Sequence, residues 1–367
     1  MGTLIAALAM VILIVVNRNP DDGATPANAG PFRAAALTVG LQDDQITAVI
    51  DDSVAARVDR LAASGVTFTR LDVSWVTIAP TAPAAPTDPN DPAYLWERFD
   101  AVVDALVARS LEPIVAFSGS PSWANGGGGP EAAPDVEAYG AFVRAFATRY
   151  SGQGRPRIRV FEPWDAPNNP SRLMPQWDST GTKPASPATY AALLNRAYAE
   201  IKAVAPDATV VGSSAGHIEA SAPPLGGVGV LDWLGALTAL APKMDAVAQH
   251  MEPTSAPSAP SEAVPSFSTL PRLMQELGRL APGAPVLITK LDYATPPGGL
   301  AEADQAAYLT QALQRLAGES AIRLVIWGSL RDSPGRFAGL LHEDGSEKPS
   351  WAVFAGGQKA LPSAATP

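Results

Sequence analysis

The chain has 367 residues, and 26 Lys and Arg against 36 Asp and Glu give it a formal net charge of −10 at pH 7. Nucleic-acid binding relies on clustered Lys and Arg, so an acidic chain without a basic run is not expected to bind nucleic acid. The absence of Cys excludes disulfides and thiolate metal sites. The three His residues, His217, His250 and His342, are not spaced as metal ligands, so we expect neither a metal nor another cofactor.

An apolar run lies near the start of the sequence, from Thr3 to Val16. It is short for a membrane span and is typical of a signal-peptide core or a short anchor. We expect residues 1–19 to form this signal peptide or membrane anchor and residues 20–34 to form a linker, because the latter have a turn-rich composition. The protein is therefore predicted to be extracytoplasmic, either secreted or membrane-anchored, with cleavage and anchoring both left open.

Eight strand-like runs follow, and longer helical patterns separate them. The runs cover residues 35–42, 66–75, 112–119, 158–166, 209–217, 245–251, 285–295 and 322–330. One helical pattern places Tyr190, Leu194 and Ile201 on one face, after Ser186 and Pro187, which suit a helix start. Strict alternation of strands and helices predicts a parallel sheet.

The count of eight strands favours one of two α/β architectures. Eight parallel strands close a (β/α)₈ barrel, and such barrels reach this length as one domain. The alternative is an open doubly wound sheet, but the glycine fingerprint that would support it after the first strand is missing. We predict an α/β fold, a single-domain (β/α)₈ TIM barrel over residues 35–356, followed by a disordered tail over residues 357–367.

The predicted strand ends are rich in Trp, His and polar residues, whereas the strand bodies are aliphatic. Active sites of such barrels lie at the C-terminal ends of the strands. Flat Trp faces can stack on sugar rings and polar groups can bind hydroxyls, so this rim indicates a carbohydrate cleft. The predicted sugar contacts at these strand ends are Trp75, Trp123, Trp164, Asp165, Asn168, His250, Glu252, Tyr293 and Trp327, and the family resemblance of the second strand adds Arg70.

Five strand ends, in order, resemble those of the clan A glycoside hydrolases, and of family 39 in particular. The fourth strand reads E-P-W-D-A-P-N over residues 162–168, where the clan carries W-N-E-P-N. The seventh reads I-T-K-L-D over residues 288–292, where the clan carries I-T-E followed by Phe or Leu and Gly. The second (T-R-L-D-V-S-W), third (P-S-W-A) and eighth (I-W-G-S-L-R-D) also match. The resemblance spans nearly the whole chain and implies a carbohydrate or polysaccharide partner.

The same resemblance places two substitutions at the catalytic positions. Retaining hydrolysis needs an acid/base and a nucleophile, two carboxyl groups about 5–5.5 Å apart. The resemblance implies that Ala166 stands at the acid/base position and Lys290 at the nucleophile position, while Asp165 replaces an Asn that contacts the sugar. A methyl cannot donate a proton, and an ammonium cannot attack as a carboxylate does.

We therefore predict a catalytically degenerate, carbohydrate-binding pseudoenzyme of the cell envelope. Two alternatives stay open: an active O-glycosyl hydrolase that uses non-standard residues such as Glu252, and a purely structural barrel. The resemblance also implies that Arg70 faces the nucleophile position, where Lys290 would be an unfavourable like charge. A compensating anion is needed, and we predict an ion pair between Asp165 and Lys290, with Glu162 and Asp292 as other candidates.

Overall fold

The computed structural model of the chain describes residues 30–33, 36–47 and 54–360. Eight parallel strands pair in chain order and the last pairs with the first, so the sheet closes into a barrel. The strands are β1 (Thr38–Gln42), β2 (Phe68–Ser74), β3 (Glu112–Ser118), β4 (Val160–Glu162), β5 (Thr209–Ala215), β6 (Ala246–Met251), β7 (Val286–Leu291) and β8 (Ile322–Trp327). The predicted (β/α)₈ barrel is confirmed, and each strand lies within its predicted run.

Helices separate consecutive strands throughout the described part of the chain. They are α1 (Val54–Ala63), α2 (Trp75–Ile78), α3 (Glu97–Val107), α4 (Val136–Arg149), α5 (Ser186–Val204), α6 (Val230–Leu240), α7 (Leu270–Leu280), α8 (Glu302–Ala317) and α9 (Pro349–Ala360). The predicted stripe on α5 is confirmed, because Tyr190, Leu194 and Ile201 are all fully buried. Pro187 lies in the first turn of α5, where a missing backbone N–H costs nothing.

The bottom of the barrel is closed by residues that the sequence assigned to a linker. Gly30–Arg33 form a short 3₁₀ helix, and the ring of Phe32 lies 5.6 Å from that of Phe68 at the start of β2. Phe32 joins a cluster of buried residues from the first halves of the strands. Side chains thus fill this part of the barrel interior, and in barrels of this kind the functional site lies at the opposite, C-terminal end.

Both ends of the chain differ from the predicted boundaries or lie outside the described residues. Residues 1–29, which include the predicted signal peptide or anchor and most of the predicted linker, are outside them. Helix α9 continues to Ala360, past the predicted domain end at residue 356. Within the residues that are described, no helix combines the length and apolarity needed to cross a membrane.

Candidate functional site

Arg70 is the centre of an ion-pair network at the C-terminal end of the barrel. Its side chain, on β2, is 1% exposed. Nη2 lies 2.6 Å from Asp165 Oδ1 and 3.1 Å from Glu162 Oε2, and Nη1 lies 2.6 Å from Asp72 Oδ1. Gln42, the β1 neighbour of Arg70, also accepts from Nη1 at 3.3 Å. The guanidinium therefore has a carboxylate on each side and is fixed in place.

The carboxyl groups around Arg70 differ in their protonation. Burial alone would raise the pKa of Asp165, but Arg70 and the other positive groups nearby, Arg172 and Lys290 among them, together outweigh burial and hold the pKa of that carboxyl well below its usual range. Burial has the larger effect on Glu162 and raises its pKa, even though Arg70 lowers it. Arg172 reinforces the charge of Asp165, because Arg172 Nε lies 3.4 Å from Asp165 Oδ2. Asp165 is thus a carboxylate that is already engaged on both oxygens.

The predicted ion pair between Asp165 and Lys290 is wrong, although Lys290 does have an acidic partner. Lys290 Nζ lies 2.6 Å from Glu252 Oε1. Lys290 on β7 is paired in register with His250 on β6, and Glu252 follows two residues later on the same face. Glu252 is therefore within easy reach of Nζ, while Arg70 already holds Asp165. Burial opposes ionisation of Glu252, but Lys290 lowers the pKa of Glu252 overall.

A fourth cation, Arg336, reaches the site from the loop after β8 and was missed in the sequence. Arg336 Nη1 lies 3.3 Å from Asp44 Oδ2, and Nη2 lies 3.4 Å from Asp292 Oδ2. Burial, and then the nearby Glu252, raises the pKa of Asp292 to about 6. Gly328 makes room for this carboxyl, because a Cβ at position 328 would lie 2.6 Å from Asp292 Oδ2.

Two histidines complete the polar surface of the site. His250 is 2% exposed, and burial lowers the pKa of its imidazole to about 3, so the ring is neutral. Its Nε2 lies 3.7 Å from Asp165 Oδ1 and has no hydrogen-bond partner among the described residues. His217 Nδ1 accepts from the backbone N of Glu252 at 2.9 Å, which holds the start of the loop after β6.

Three of the four Trp residues predicted to stack on sugars are packed inside the protein. Trp75 is fully buried and stacks on Phe142 with ring centroids 5.1 Å apart. Trp164 and Trp327 are also buried, and their indole N–H groups donate to backbone carbonyl oxygens at 3.0 and 3.1 Å. The stacking role predicted for these three is therefore corrected to a packing role. Trp123 is only half-buried and stays a candidate.

Asn168 and Tyr293 are likewise structural in this conformation. Asn168 is fully buried, and its amide donates to the carbonyls of Gly216 and Val228 and accepts from the N–H of Gly216. Both N–H donors and one of the two acceptor lone pairs of the amide are thus used within the protein. Tyr293 is 1% exposed, and its ring packs on that of Tyr308. Their prediction as sugar contacts is corrected for this reason.

The turn after β4 has an unusual backbone. Trp164 and Ala166 have φ values of 92° and 44°, and Ser213 and Ser214 on β5 have φ values of 73° and 41°. Left-handed conformations cost non-glycine residues of the order of 1–3 kcal/mol and concentrate at functional sites. The N–H of Ala166 donates to the carbonyl of Ser214 at 3.1 Å, which joins the two strand ends. The methyl of Ala166 is buried, at 7% exposure.

Comparison with known proteins confirms the fold. No protein-family model matches the chain, and no curated protein sequence matches it. A family 39 glycoside hydrolase from Bacteroides cellulosilyticus WH2 superposes with a TM-score of 0.62 at 20% identity, over 89% of this chain and 63% of that one. A monomeric β-xylosidase from Caulobacter crescentus CB15 gives 0.63 at 20% identity, over 87% of this chain and 67% of that one.

A xylanase 10B from Thermotoga maritima gives a TM-score of 0.59 at 15% identity, over 89% of this chain and 96% of that one. The chain therefore spans about two thirds of the two former structures and nearly all of the xylanase. The resemblance to clan A glycoside hydrolases is confirmed at the level of the barrel fold. In the part of the chain described, no group of three or more His, Asp or Glu is placed to hold a metal ion.

Proposed function

We propose that this protein binds carbohydrate at the C-terminal end of its barrel and does not hydrolyse it. The observation that carries the proposal is the 2.6 Å contact between Lys290 Nζ and Glu252 Oε1. At the position where the family resemblance implies a nucleophilic carboxylate, the chain has an ammonium that a neighbouring carboxylate holds. An amine in this state cannot form the glycosyl ester on which retaining hydrolysis depends.

The proton donor is missing as well. Ala166, at the implied acid/base position, has a methyl side chain. Its neighbour Asp165 cannot take over, because Arg70 keeps the pKa of Asp165 well below its usual range and the group stays ionised. Glu162 has a raised pKa, but it is fully buried beneath Arg70 and cannot reach a ligand. Neither neighbour supplies a general acid at this strand end.

Binding is supported by the groups that remain accessible at the same end of the barrel. Trp123 is half-buried, and its N–H donates to the carbonyl of Ala79, so the bond fixes the plane of the ring. The side chains of Glu252 and Asp72 are 33% and 31% exposed. An aromatic ring and fixed carboxylates at the same end of the barrel supply the chemistry that sugar rings and hydroxyls require. Structures named as a β-xylosidase and a xylanase share the fold, which fits this choice.

We place the protein outside the cytoplasm, secreted or anchored to a membrane, as a component of the cell envelope. This part of the proposal depends on the apolar run from Thr3 to Val16, which lies outside the described residues. Extraction of the native protein from a membrane fraction, compared with a chain that starts at residue 28, tests it. Equal solubility of the two would contradict anchoring.

A second candidate function is hydrolysis by relocated carboxyl groups, and one observation favours it. Glu252 and Asp292 lie on the ends of neighbouring strands, and burial together with Glu252 raises the pKa of Asp292 to about 6 while Lys290 lowers that of Glu252. Carboxyl groups with pKa values driven apart suit acid and base roles. We place it second because Asp292 is 7% exposed and Lys290 holds Glu252 in an ion pair.

One pair of measurements separates these functions from each other and from a purely structural barrel. A glycan array followed by calorimetry tests binding, and release of nitrophenol from a panel of aryl glycosides tests hydrolysis. Binding without release supports the proposed function. Release that Glu252→Gln abolishes would establish the second candidate, and the absence of both binding and release would leave a structural barrel.

A further inference from the structure

We infer that the glycan bound at this site carries positive charge, and the chemistry that fits is an oligomer of amino sugars with free amines. The inference rests on the proposed function, because it names the ligand of the same site. The ion-pair network at the C-terminal end of the barrel, termed the mouth network, supports it. Its carboxyl groups are Asp44, Asp72, Glu162, Asp165, Glu252 and Asp292, and its cations are Arg70, Arg172, Lys290 and Arg336.

The mouth network has more acids than bases. Six carboxyl groups face four cations, so the network has an excess of two negative charges when every carboxyl is ionised, and a smaller excess where the raised pKa of Glu162 or Asp292 keeps a proton. The two histidines add little to offset this excess, because burial lowers the pKa of both and disfavours their charged form. Burial also raises the pKa of Asp44, as expected for acids crowded together away from water. A cation bound here would relieve the crowding.

Every cation in the mouth network is already in contact with a carboxylate. Arg70 contacts three, Arg336 contacts two, and Arg172 and Lys290 contact one each. An anionic sugar, such as a uronate, would have to displace one of these carboxylates and enter a region of excess negative charge. The most accessible acids, Glu252 and Asp72, would instead attract an ammonium. The charge balance therefore favours a cationic ligand over an anionic one.

Two further observations point to a ligand amine or hydroxyl at this place. His250 Nε2 is buried and without a hydrogen-bond partner among the described residues, 3.7 Å from Asp165 Oδ1. Buried polar atoms of this kind are normally satisfied by water or a ligand. The contact of Lys290 Nζ with Glu252 Oε1 shows, in addition, that the mouth stabilises a primary ammonium. The protonated amine of an amino sugar has the same chemistry.

The test compares three oligosaccharides by calorimetry at pH 6 with the full chain. The probes are a glucosamine oligomer, the N-acetylglucosamine oligomer of equal length and linkage, and an oligouronate. We expect the glucosamine oligomer to bind about tenfold more tightly than its neutral counterpart. The difference should shrink as ionic strength rises, because salt screens exposed charges.

Two variants test whether the mouth network causes the preference for the glucosamine oligomer over the neutral one. Glu252→Gln should reduce the preference for the glucosamine oligomer, and Lys290→Met should increase it, because the first removes a negative charge and the second a positive one. Glu276→Gln is the matched control, since Glu276 also lies 2.6 Å from a cation, Arg279, but on helix α7 away from the mouth. If Glu252→Gln does not fold, Lys290→Met alone decides the direction.

The other possible results would contradict either this inference alone or the proposed function as well. Equal affinity for the charged and neutral oligomers, or a preference unchanged in both variants, would overturn this inference and leave the proposed function standing. Tighter binding of the oligouronate would overturn it in favour of an anionic ligand. The absence of binding to these probes and to every glycan on an array would overturn the proposed function together with this inference.

Discussion

Lys290 on β7 and Glu252, which directly follows the neighbouring strand β6, have Nζ and Oε1 2.6 Å apart and form the ion pair that replaces the expected catalytic carboxylate. The pair is formed by the register of β6 and β7, which puts both side chains on the same face of the sheet. Restoring a carboxylate at position 290 alone would put two acids in contact. Any attempt to rebuild hydrolysis therefore has to change both positions.

We expect the natural chain to release no nitrophenol from aryl glycosides. Ala166→Glu alone should stay inactive, because an acid without a nucleophile forms no intermediate. Lys290→Glu combined with Glu252→Gln, Ala166→Glu and Asp165→Asn should show activity if the sugar subsite is intact. A missing general acid alone costs about 10²–10⁴ in rate, so the quadruple variant should exceed the same variant with Ala166 retained by about this factor.

Measurable turnover by the natural chain would contradict this prediction. The control for contaminating activity is Lys290→Met, which removes the amine without adding a carboxylate. Turnover lost in Glu252→Gln but kept in Lys290→Met would instead place the chemistry at the end of β6.

Arg70→Met should destabilise the fold by about 3–5 kcal/mol at pH 7, because it leaves Glu162 buried without a cation and Asp165 with Arg172 alone. Adding Glu162→Gln should recover part of this loss, since it removes one of the unpaired charges. Urea denaturation measures the free energies of unfolding. Arg279→Met, which breaks an exposed pair on α7, is the control and should cost no more than about 1 kcal/mol. Equal losses in both variants would refute the central role of Arg70.

Asp292→Asn should change the pH dependence of stability. The pKa of Asp292 is raised from 3.8 to about 6 in the folded state, so the folded state binds the proton more tightly than the unfolded state. The resulting stabilisation is present at acidic pH and is lost as pH rises through 6. The stability of the variant relative to the natural chain should therefore rise by about 2 kcal/mol between pH 4.5 and 7.5.

Denaturation at four pH values over this range measures that difference. Asp304→Asn, at an exposed position in the first turn of α8, provides the control and should show a flat difference. A flat difference for Asp292→Asn as well would mean that its carboxyl is not perturbed.

Trp123→Ala should weaken glycan binding by about tenfold, because it removes the one partly exposed indole among the four predicted stacking residues. Trp123→Phe keeps an aromatic face and should retain most of the affinity. Calorimetry with any glycan found on the array measures both. Binding unaffected by Trp123→Ala would place the sugar elsewhere on the rim.

Phe32→Ala should cost about 3 kcal/mol of stability, because Phe32 closes the bottom of the barrel against Phe68. Glycan affinity should be unchanged, since the binding site is at the opposite end. Chemical denaturation and calorimetry on the same preparation check both statements. A variant that is as stable as the natural chain would show that the segment before β1 does not belong to the folded unit.

The barrel could be predicted because its signal is local and repeated. Apolar strand bodies and helical stripes such as that on α5 recur eight times, and each is set by neighbouring residues. The choice of partners in the site was harder to predict. Pairing of Lys290 with Glu252 depends on the register between β6 and β7, and capture of Asp165 depends on how far Arg70 reaches across the barrel.

The same dependence on three-dimensional contacts explains why the roles of the Trp residues and of Arg336 were not predicted. An indole at a strand end is equally compatible with a cleft wall and with the layer between sheet and helices, and Trp75 lies in the latter. Arg336 lies in a loop without periodicity, so nothing in the sequence indicated its contacts with Asp44 and Asp292. Phe32 was assigned to a linker because the composition of residues 20–34 indicates turns. It does not show that the ring of Phe32 fills the bottom of the barrel.

The left-handed turn at the ends of β4 and β5 connects the tip of β5 to the charged groups of the site. Ser214 accepts from the N–H of Ala166 at 3.1 Å, and its hydroxyl donates to Glu162 Oε2 at 3.0 Å. Glu162 in turn forms an ion pair with Arg70. A displacement of Ser214 would therefore move both the backbone at Ala166 and the carboxyl group of Glu162. The tip of β5 has no predicted sugar contact, yet a substitution or a partner that shifts it would alter the electrostatic field of the mouth.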